Sequence, residues 1–174
     1  MRTPIFKIDA FASKVFTGNP AVVMPMKSFP EDATMQALAA ENNLAETAFL
    51  VPEVTDYRLR WFTPRVEVLL CGHATLASAA VVMERLEPGR TEVIFHSASG
   101  PLTVNRTASG YVMNFPARTA EKVKNPAGLT KELGVVPTEV WVNSFNYLAV
   151  LDSAQMCARF TLTWQALPGL IVQE

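Results

Sequence analysis

Apolar residues recur along the chain with two periods, one of two residues and one close to 3.6, and these separate candidate strands from candidate helices. Ile5, Ile8 and Phe11 give way to Ser13-Lys14 and Gly18-Asn19-Pro20, after which Ala21-Val22-Val23-Met24 resumes, predicting strand, loop and strand. Glu31 to Asn43 carries Met35, Leu38 and Ala39 at helical spacing, opens on acids after Pro30 and stops at Asn42-Asn43, which predicts a helix. Thr47-Ala48-Phe49-Leu50-Val51 then reads as a short strand ended by Pro52, with Glu46 at its head, and Tyr57 to Phe62 alternates as its partner.

Gly72 to Leu86 has no charge before Glu84, and its apolar residues surround most of its circumference, so the helix it predicts is buried. Its small residues Ala74, Ala77, Ser78, Ala79 and Ala80 allow backbone to approach from several sides, as at the axis of a curled sheet. Strands at 91–97, 101–107 and 110–115 follow, with turns at Ser99-Gly100 and Ser109-Gly110. The order of elements predicts an α+β fold in which a mainly antiparallel sheet wraps a central helix.

After Pro116 the composition turns polar through Thr119 to Pro126, which places a domain boundary there: 1–116 as one domain and 117–174 as part of a second. In the second part a short helix through Leu133 leads to Gly134, Glu139 to Val142 and Tyr147 to Leu151 form a hairpin about Ser144, and Ser153 caps one more short helix. Few strands are available to enclose Trp141, Phe145, Tyr147, Phe160 and Trp164, so open apolar surface and pairing into a homodimer are expected there.

Composition narrows the function. The chain has 174 residues, 49% hydrophobic and 18% charged, enough for a core and unlike a disordered chain. Fifteen Lys and Arg against 16 Asp and Glu leave a net charge of −1, so neither nucleic acid nor an anionic membrane is an expected partner. No apolar run approaches a spanning helix, Lys7 and Asp9 interrupt any signal-peptide core, and the two cysteines suit a reducing compartment, so the expected location is cytoplasmic.

Candidate chemistry is concentrated in two places. There is no G-x-G-x-x-G and no phosphate-binding loop, and Cys71-Gly72-His73 lacks a second cluster to complete a tetrahedral zinc site, so neither cofactor nor metal is expected. The first place is Phe62 to Leu76, where polar residues lie at the mouth of the buried helix, whose free N–H groups and positive dipole end favour a carboxylate or a developing oxyanion. The second is Glu46, a carboxylate leading an apolar strand and therefore partly desolvated, as acid–base work requires. Blander roles compete: Glu46 as a solvated strand-end acid, His73 as a hydrogen bonder of the helix start, and Cys71 as a small buried hydrophobe rather than a thiol activated by the helix start.

Ile8-Asp9-Ala10-Phe11 with Gly18-Asn19-Pro20-Ala21-Val22-Val23, then Asn43-Leu44-Ala45-Glu46-Thr47-Ala48-Phe49, Arg60-Trp61-Phe62-Thr63-Pro64, and Glu67-Val68 before Cys71-Gly72-His73-Ala74-Thr75-Leu76-Ala77 resemble the PhzF family of phenazine-biosynthesis-like isomerases. The resemblance covers about residues 4–116, four motifs in the family's order, and Leu76 to Val81 follows the animal members known as MAWD-binding-protein-like. Leu69 departs from it, standing where members often carry Asp or Pro.

The resemblance implies a diaminopimelate-epimerase-like fold of two domains, each a sheet curled about a helix, with the site between them. It implies that Glu46 is the catalytic carboxylate, moving a proton between carbons of a small carboxylated metabolite without cofactor or metal. His73 would hold and polarise the substrate, and Gly18, Asn19, Gly72, Ala74 and Thr75 would form the substrate-facing wall. Residues 159–172 resemble the family's helix leading into strand, but the Asp and the Gly-Ser-Ala-type helix start that the family's second domain contributes are not found after Pro116, so the second domain is expected to be incomplete and this form inactive. The alternative is a non-catalytic relative that acts through protein contacts.

Overall fold

A computed structural model describes residues 3–158 except 15 and 145, and the chain forms two compact units, Met1–Phe115 and Pro116–Glu174. In the first unit β1 (Phe6–Ala10) pairs antiparallel with β2 (Asn19–Pro25), so that Phe6 and Ile8 face the core while Lys7 and Asp9 face water. Helix α1 (Asp32–Asn42) crosses over to β3 (Glu46–Glu53), which lies parallel to β2 with Ala21 opposite Glu46. Asn43 ends α1 in the left-handed region at φ 48°, its amide bonded to the Ala39 carbonyl.

From Glu46 to Val51 every residue of β3 is buried, because the sheet is covered on both faces there. One face of β2, β3 and β4 (Asp56–Phe62) presents Val22, Met24, Phe49 and Phe62 to Met35 and Ala39 of α1, and the Phe49 and Phe62 rings meet edge to face with centroids 5.5 Å apart. The opposite face presents Ala21, Val23, Ala48, Leu50, Leu59 and Trp61 to α2 (Gly72–Val81). Parity along β3 therefore decides side: Thr47 turns to α1, where it accepts from Asn42 Nδ2 at 3.1 Å, and Glu46 turns with Ala48 and Leu50 towards α2.

Helix α2 is the axis of the unit, in contact with β1, β2, β3 and β8 (Gly110–Met113). Burying it all round leaves no water for its hydroxyls, so Thr75 Oγ1 donates to the Cys71 carbonyl at 2.5 Å and Ser78 Oγ to the Ala74 carbonyl at 2.7 Å. Beyond Val81 the coil widens into one π turn, Val82–Leu86, closed by the Glu87 amide on the Val82 carbonyl. Around α2 runs an eight-stranded sheet of order β1-β2-β3-β4-β6-β7-β8, with β4 (Asp56–Phe62), β6 (Glu92–Ser97), β7 (Gly100–Thr107) and β8 (Gly110–Met113); the two-residue β5 (Glu67–Val68) adds to β4. Only β2/β3 and β4/β6 are parallel pairs, so the sheet is mixed, mainly antiparallel and curled into a half-barrel, as the hydrophobic pattern predicts.

Three local features differ from the sequence expectation. Pro52 does not end β3, because β2 stops at Pro25 opposite Leu50; beyond that point β3 has an open edge, where proline removes no ladder bond. The strand β5 is too short to show a period and is fixed by tertiary contacts, the Thr63 amide on the Val66 carbonyl and the Arg60 guanidinium on both oxygens of Glu67 at 2.6 Å. In the second unit, β9 (Glu121–Val123) is a strand with the polar sequence of a linker, paired to β10 (Glu139–Val142).

The second unit holds a three-stranded antiparallel sheet of order β11-β10-β9, in which β11 (Tyr147–Val150) completes the hairpin, together with the short helices α3 (Leu129–Leu133) and α4 (Ala154–Ala158). The Met156 amide bonds Ser153 Oγ at the start of α4. Leu129 and Val140 are the buried hydrophobic residues of its described part. The helix and strand expected over 159–172, with Phe160 and Trp164, and Phe145 of the hairpin lie outside the described residues.

Candidate active site

The face of β3 that carries Ala48 and Leu50 begins with Glu46, and the N-terminus of α2 lies against that strand, so Glu46 meets the first turn of the helix. Glu46 Oε2 stands 3.1 Å from His73 Nε2, with both side chains at a tenth exposure or less. The approach has the distance of an ion pair but not the alignment of a hydrogen bond, and neither atom has a hydrogen-bond partner among the described residues. Buried polar atoms left so are rare, since each forfeits its hydration without replacement. Cys71, at the N-cap of α2, brings Sγ to 3.4 Å from His73 Nδ1.

Burial pushes the Cys71 thiol up to about 12, with the negative charge of Glu46 and a hydrogen bond to it acting in the same direction, against weaker support for the thiolate from the Ala74 and His73 amides. A helix start alone would lower a thiol. Here desolvation and the carboxylate overrule the dipole, so Cys71 is a neutral thiol at ordinary pH and the activated-thiol reading is set aside.

The other predicted site residues divide. Gly18 and Asn19 are exposed at the start of β2, two or three positions before Ala21, which faces Glu46 across the parallel pair. Gly18 has φ +94°, and a Cβ there would stand 2.4 Å from the Ala10 carbonyl oxygen. Gly72 opens α2, where a Cβ would make only ordinary contacts with Met113 and Phe115, so packing does not demand glycine. The Ala74 and Thr75 side chains are fully buried, the first in the core and the second bonded to the Cys71 carbonyl, so neither side chain is presented to a ligand; of their two backbone N–H groups only that of Ala74 belongs to the open first turn of α2, the Thr75 amide standing where the helix bonds back to Cys71. Leu69 is exposed, and its carbonyl accepts from Ser99 Oγ.

Sequence spacing offered no second cluster to Cys71 and His73, yet the fold supplies Glu46. The three donor atoms lie within 4.8 Å of one another and are the group among the described residues that could hold a metal ion. His96 and Cys157, the other soft donors, are exposed and take no part. Pairing of residue 46 with residues 71 and 73 has no sequence signal, because it depends on which face of β3 meets α2.

Residues 8–136 match the PhzC-PhzF family, phenazine biosynthesis-like protein, which is most of the chain. The chain belongs to that family. It is 45% identical over 170 residues to an uncharacterized isomerase of Pseudomonas aeruginosa, a match covering 98% of this chain and 65% of that relative. The mouse phenazine biosynthesis-like domain-containing protein 1 is 42% identical over 124 residues, 67% of this chain and 43% of the mouse protein. The bacterial relative is thus matched over more of the chain than the animal one that the Leu76 to Val81 pattern favoured. This PhzF-family chain spans less than two thirds of the length of the curated relatives it matches.

The crystal structure of a PhzF-family protein from Enterococcus faecalis superposes with TM-score 0.83 at 39% identity, covering 98% of this chain and 65% of that one. A hydroxyproline epimerase from Agrobacterium vitis shares the fold alone, at 9% identity and TM-score 0.52, covering 89% of this chain and 53% of that one. The chain thus has an epimerase-like fold, and the Pseudomonas aeruginosa relative is named an isomerase. No helix among the described residues is long and apolar enough to cross a membrane.

Proposed function

We propose that this PhzF-family chain carries the acid–base half of a cofactor-independent isomerase acting on a small carboxylated metabolite. The observation that supports the reading is the buried pair of unpartnered atoms, Glu46 Oε2 and His73 Nε2, at the open end of a helix dipole. A substrate carboxylate or enolic oxygen would meet the α2 N–H groups and the imidazole, which disperse the charge that develops when a carbon acid is deprotonated. Glu46 would take the proton as the C–H bond breaks, the electron pair would move into the substrate's π system, and the same carboxylate would return the proton to a second carbon. Atoms and electrons balance within the substrate, so the step calls on no redox partner. Gly18, Asn19, Gly72 and the backbone at Ala74 and Thr75 would form the wall around it.

Proton transfer between carbons needs the substrate clamped with water excluded, and the burial of Glu46 and His73 supports such a setting for the two side chains. The proposed setting is the cytoplasm, with neither nucleic acid nor membrane as partner. A second reading has its own support: β11, at the edge of its sheet, exposes Tyr147 at 44% and Leu148 at 60%, a template for another chain and hence for a homodimer or other protein contact. Small cyclic and amino carboxylates incubated in heavy water with the chain, and with a PhzF-family protein of full length, test the main reading. Solvent deuterium is expected to enter a substrate in the longer protein, and the substitution equivalent to Glu46→Gln to slow it by at least about 100-fold. Exchange at the parental rate would refute the role of Glu46.

A further inference from the structure

We infer that Arg58 and His96 form a binding site for the phosphoryl group of a small metabolite, on the side of the sheet that carries α1. Side chains alternate along β4, so Leu59 and Trp61 face α2 and the candidate active site, whereas Arg58 and Arg60 face the other way, towards Phe29. A cavity of about 610 Å³ opens there, with Phe29, Glu53, Arg58, Arg60, Glu67 and His96 in its lining. That volume falls within the roughly 300–1,000 Å³ of small-molecule sites and exceeds what a bare phosphate fills, so an organic body can accompany the anion. Arg58 stands opposite His96 in the parallel pairing of β4 with β6, which sets guanidinium and imidazole side by side on one face.

The two arginines differ in what answers their charge. Arg60 holds both oxygens of Glu67 at 2.6 Å and Asp32 at 2.8 Å, so its charge and theirs are taken up within the chain. Arg58 has its guanidinium carbon 5.4 Å from the Phe29 ring centroid and neither an ion pair nor a hydrogen bond from its side chain among the described residues. Stacking restrains the guanidinium by its face and leaves its edge donors free, a fork whose spacing matches two oxygens of a phosphoryl group. Phe29 packs in turn on the cluster of Phe49 and Phe62, so the fork is held in place before a ligand arrives. The exposed His96 ring, also without a side-chain partner among the described residues, can donate to a third oxygen. A carboxylate has two oxygens and would be filled by Arg58 alone, which is why the pair favours a phosphoryl group. Glu53, exposed and without an ion pair among the described residues, is a like charge that weakens an anion here without blocking it.

The chain has 2 histidines, so their ring-proton NMR signals separate this site from His73. Phenyl phosphate is the probe, titrated into the whole chain at about pH 8, where it is a dianion, with sodium chloride holding the ionic strength constant. The His96 signals are expected to move and saturate as one site with a dissociation constant of a few millimolar or tighter, and those of His73 to stay. Arg58→Gln should weaken binding by at least about tenfold, and Arg58→Lys, which keeps the charge but loses the fork, by less. Glu53→Gln should tighten it by about two- to threefold. Inorganic phosphate should bind several-fold more weakly than phenyl phosphate, and acetate at least about tenfold more weakly. No saturable movement of His96 by about 50 mM phenyl phosphate overturns the inference, as does unchanged affinity in both Arg58 variants. Acetate binding as tightly as phenyl phosphate overturns the choice of a phosphoryl group, and inorganic phosphate doing so overturns the organic body. None of these outcomes touches the proton-exchange assay, which reports on the opposite face of the sheet.

Discussion

Gly18→Ala is a perturbation whose size can be worked out from geometry, because Gly100 provides a matched control. Both glycines have φ +94°, where an L residue is strained by about 1–2 kcal/mol. At Gly100 an added Cβ meets nothing within 4 Å, so Gly100→Ala should cost that backbone strain alone. At Gly18 the Cβ would stand 2.4 Å from the Ala10 carbonyl oxygen and 3.0 Å from the Ala12 amide nitrogen, both backbone atoms that cannot swing aside. The strand start must move, disturbing the Ala10–Asn19 pairing of β1 with β2, at a further cost of about 1–3 kcal/mol.

Gly18→Ala is therefore expected to lose about 2–5 kcal/mol in total, a large share of the roughly 5–15 kcal/mol of an ordinary domain. Urea unfolding of both variants gives the comparison, provided the slope with denaturant is unchanged. If Gly18→Ala loses no more than Gly100→Ala, within about 0.5 kcal/mol, the steric reasoning fails and the glycine must be explained by what approaches it from outside.

Further outcomes follow from burial and charge. Phe49→Ala should cost about 3–5 kcal/mol in chemical denaturation, because the ring is fully buried between α1 and the sheet; a loss below about 1 kcal/mol would mean that α1 does not pack as described. Native protein at pH 8 should be alkylated quickly at exposed Cys157 and slowly at Cys71, whose thiol is buried and pushed up to about 12; equal rates by mass spectrometry would contradict the burial. Burial would raise Asp56, yet the Ile94 amide and the Arg90 guanidinium hold its carboxyl below 3.8, and the Tyr57 hydroxyl with Arg90 holds Glu87 below 4.5. Both carboxyls are depressed, so their contribution is present above those ordinary values and is lost as pH falls through the lower folded ones. Acid unfolding should therefore lose cooperativity with pH in Asp56→Asn, and an unchanged profile between about pH 5 and 2 would remove this cluster from the account.

Strand parity and helix spacing are local properties, and they are enough to predict most elements and the buried character of α2. Glu46 at the head of an apolar strand and His73 at the mouth of an apolar helix are each visible within a dozen residues of sequence. What local pattern cannot carry is the partner across space. Whether Glu46 turns to α1 or to α2 depends on the register of β3 between β2 and β4, and that register is set by the whole doubly covered sheet. The strands β5 and β9 were illegible for the same reason, since two or three residues have no period and exist as strands through the pairing they find. Cys71 shows the point most sharply: its sequence position at a helix start argues for a lowered thiol, whereas the burial and the carboxylate that only the folded chain brings to it push the thiol the other way.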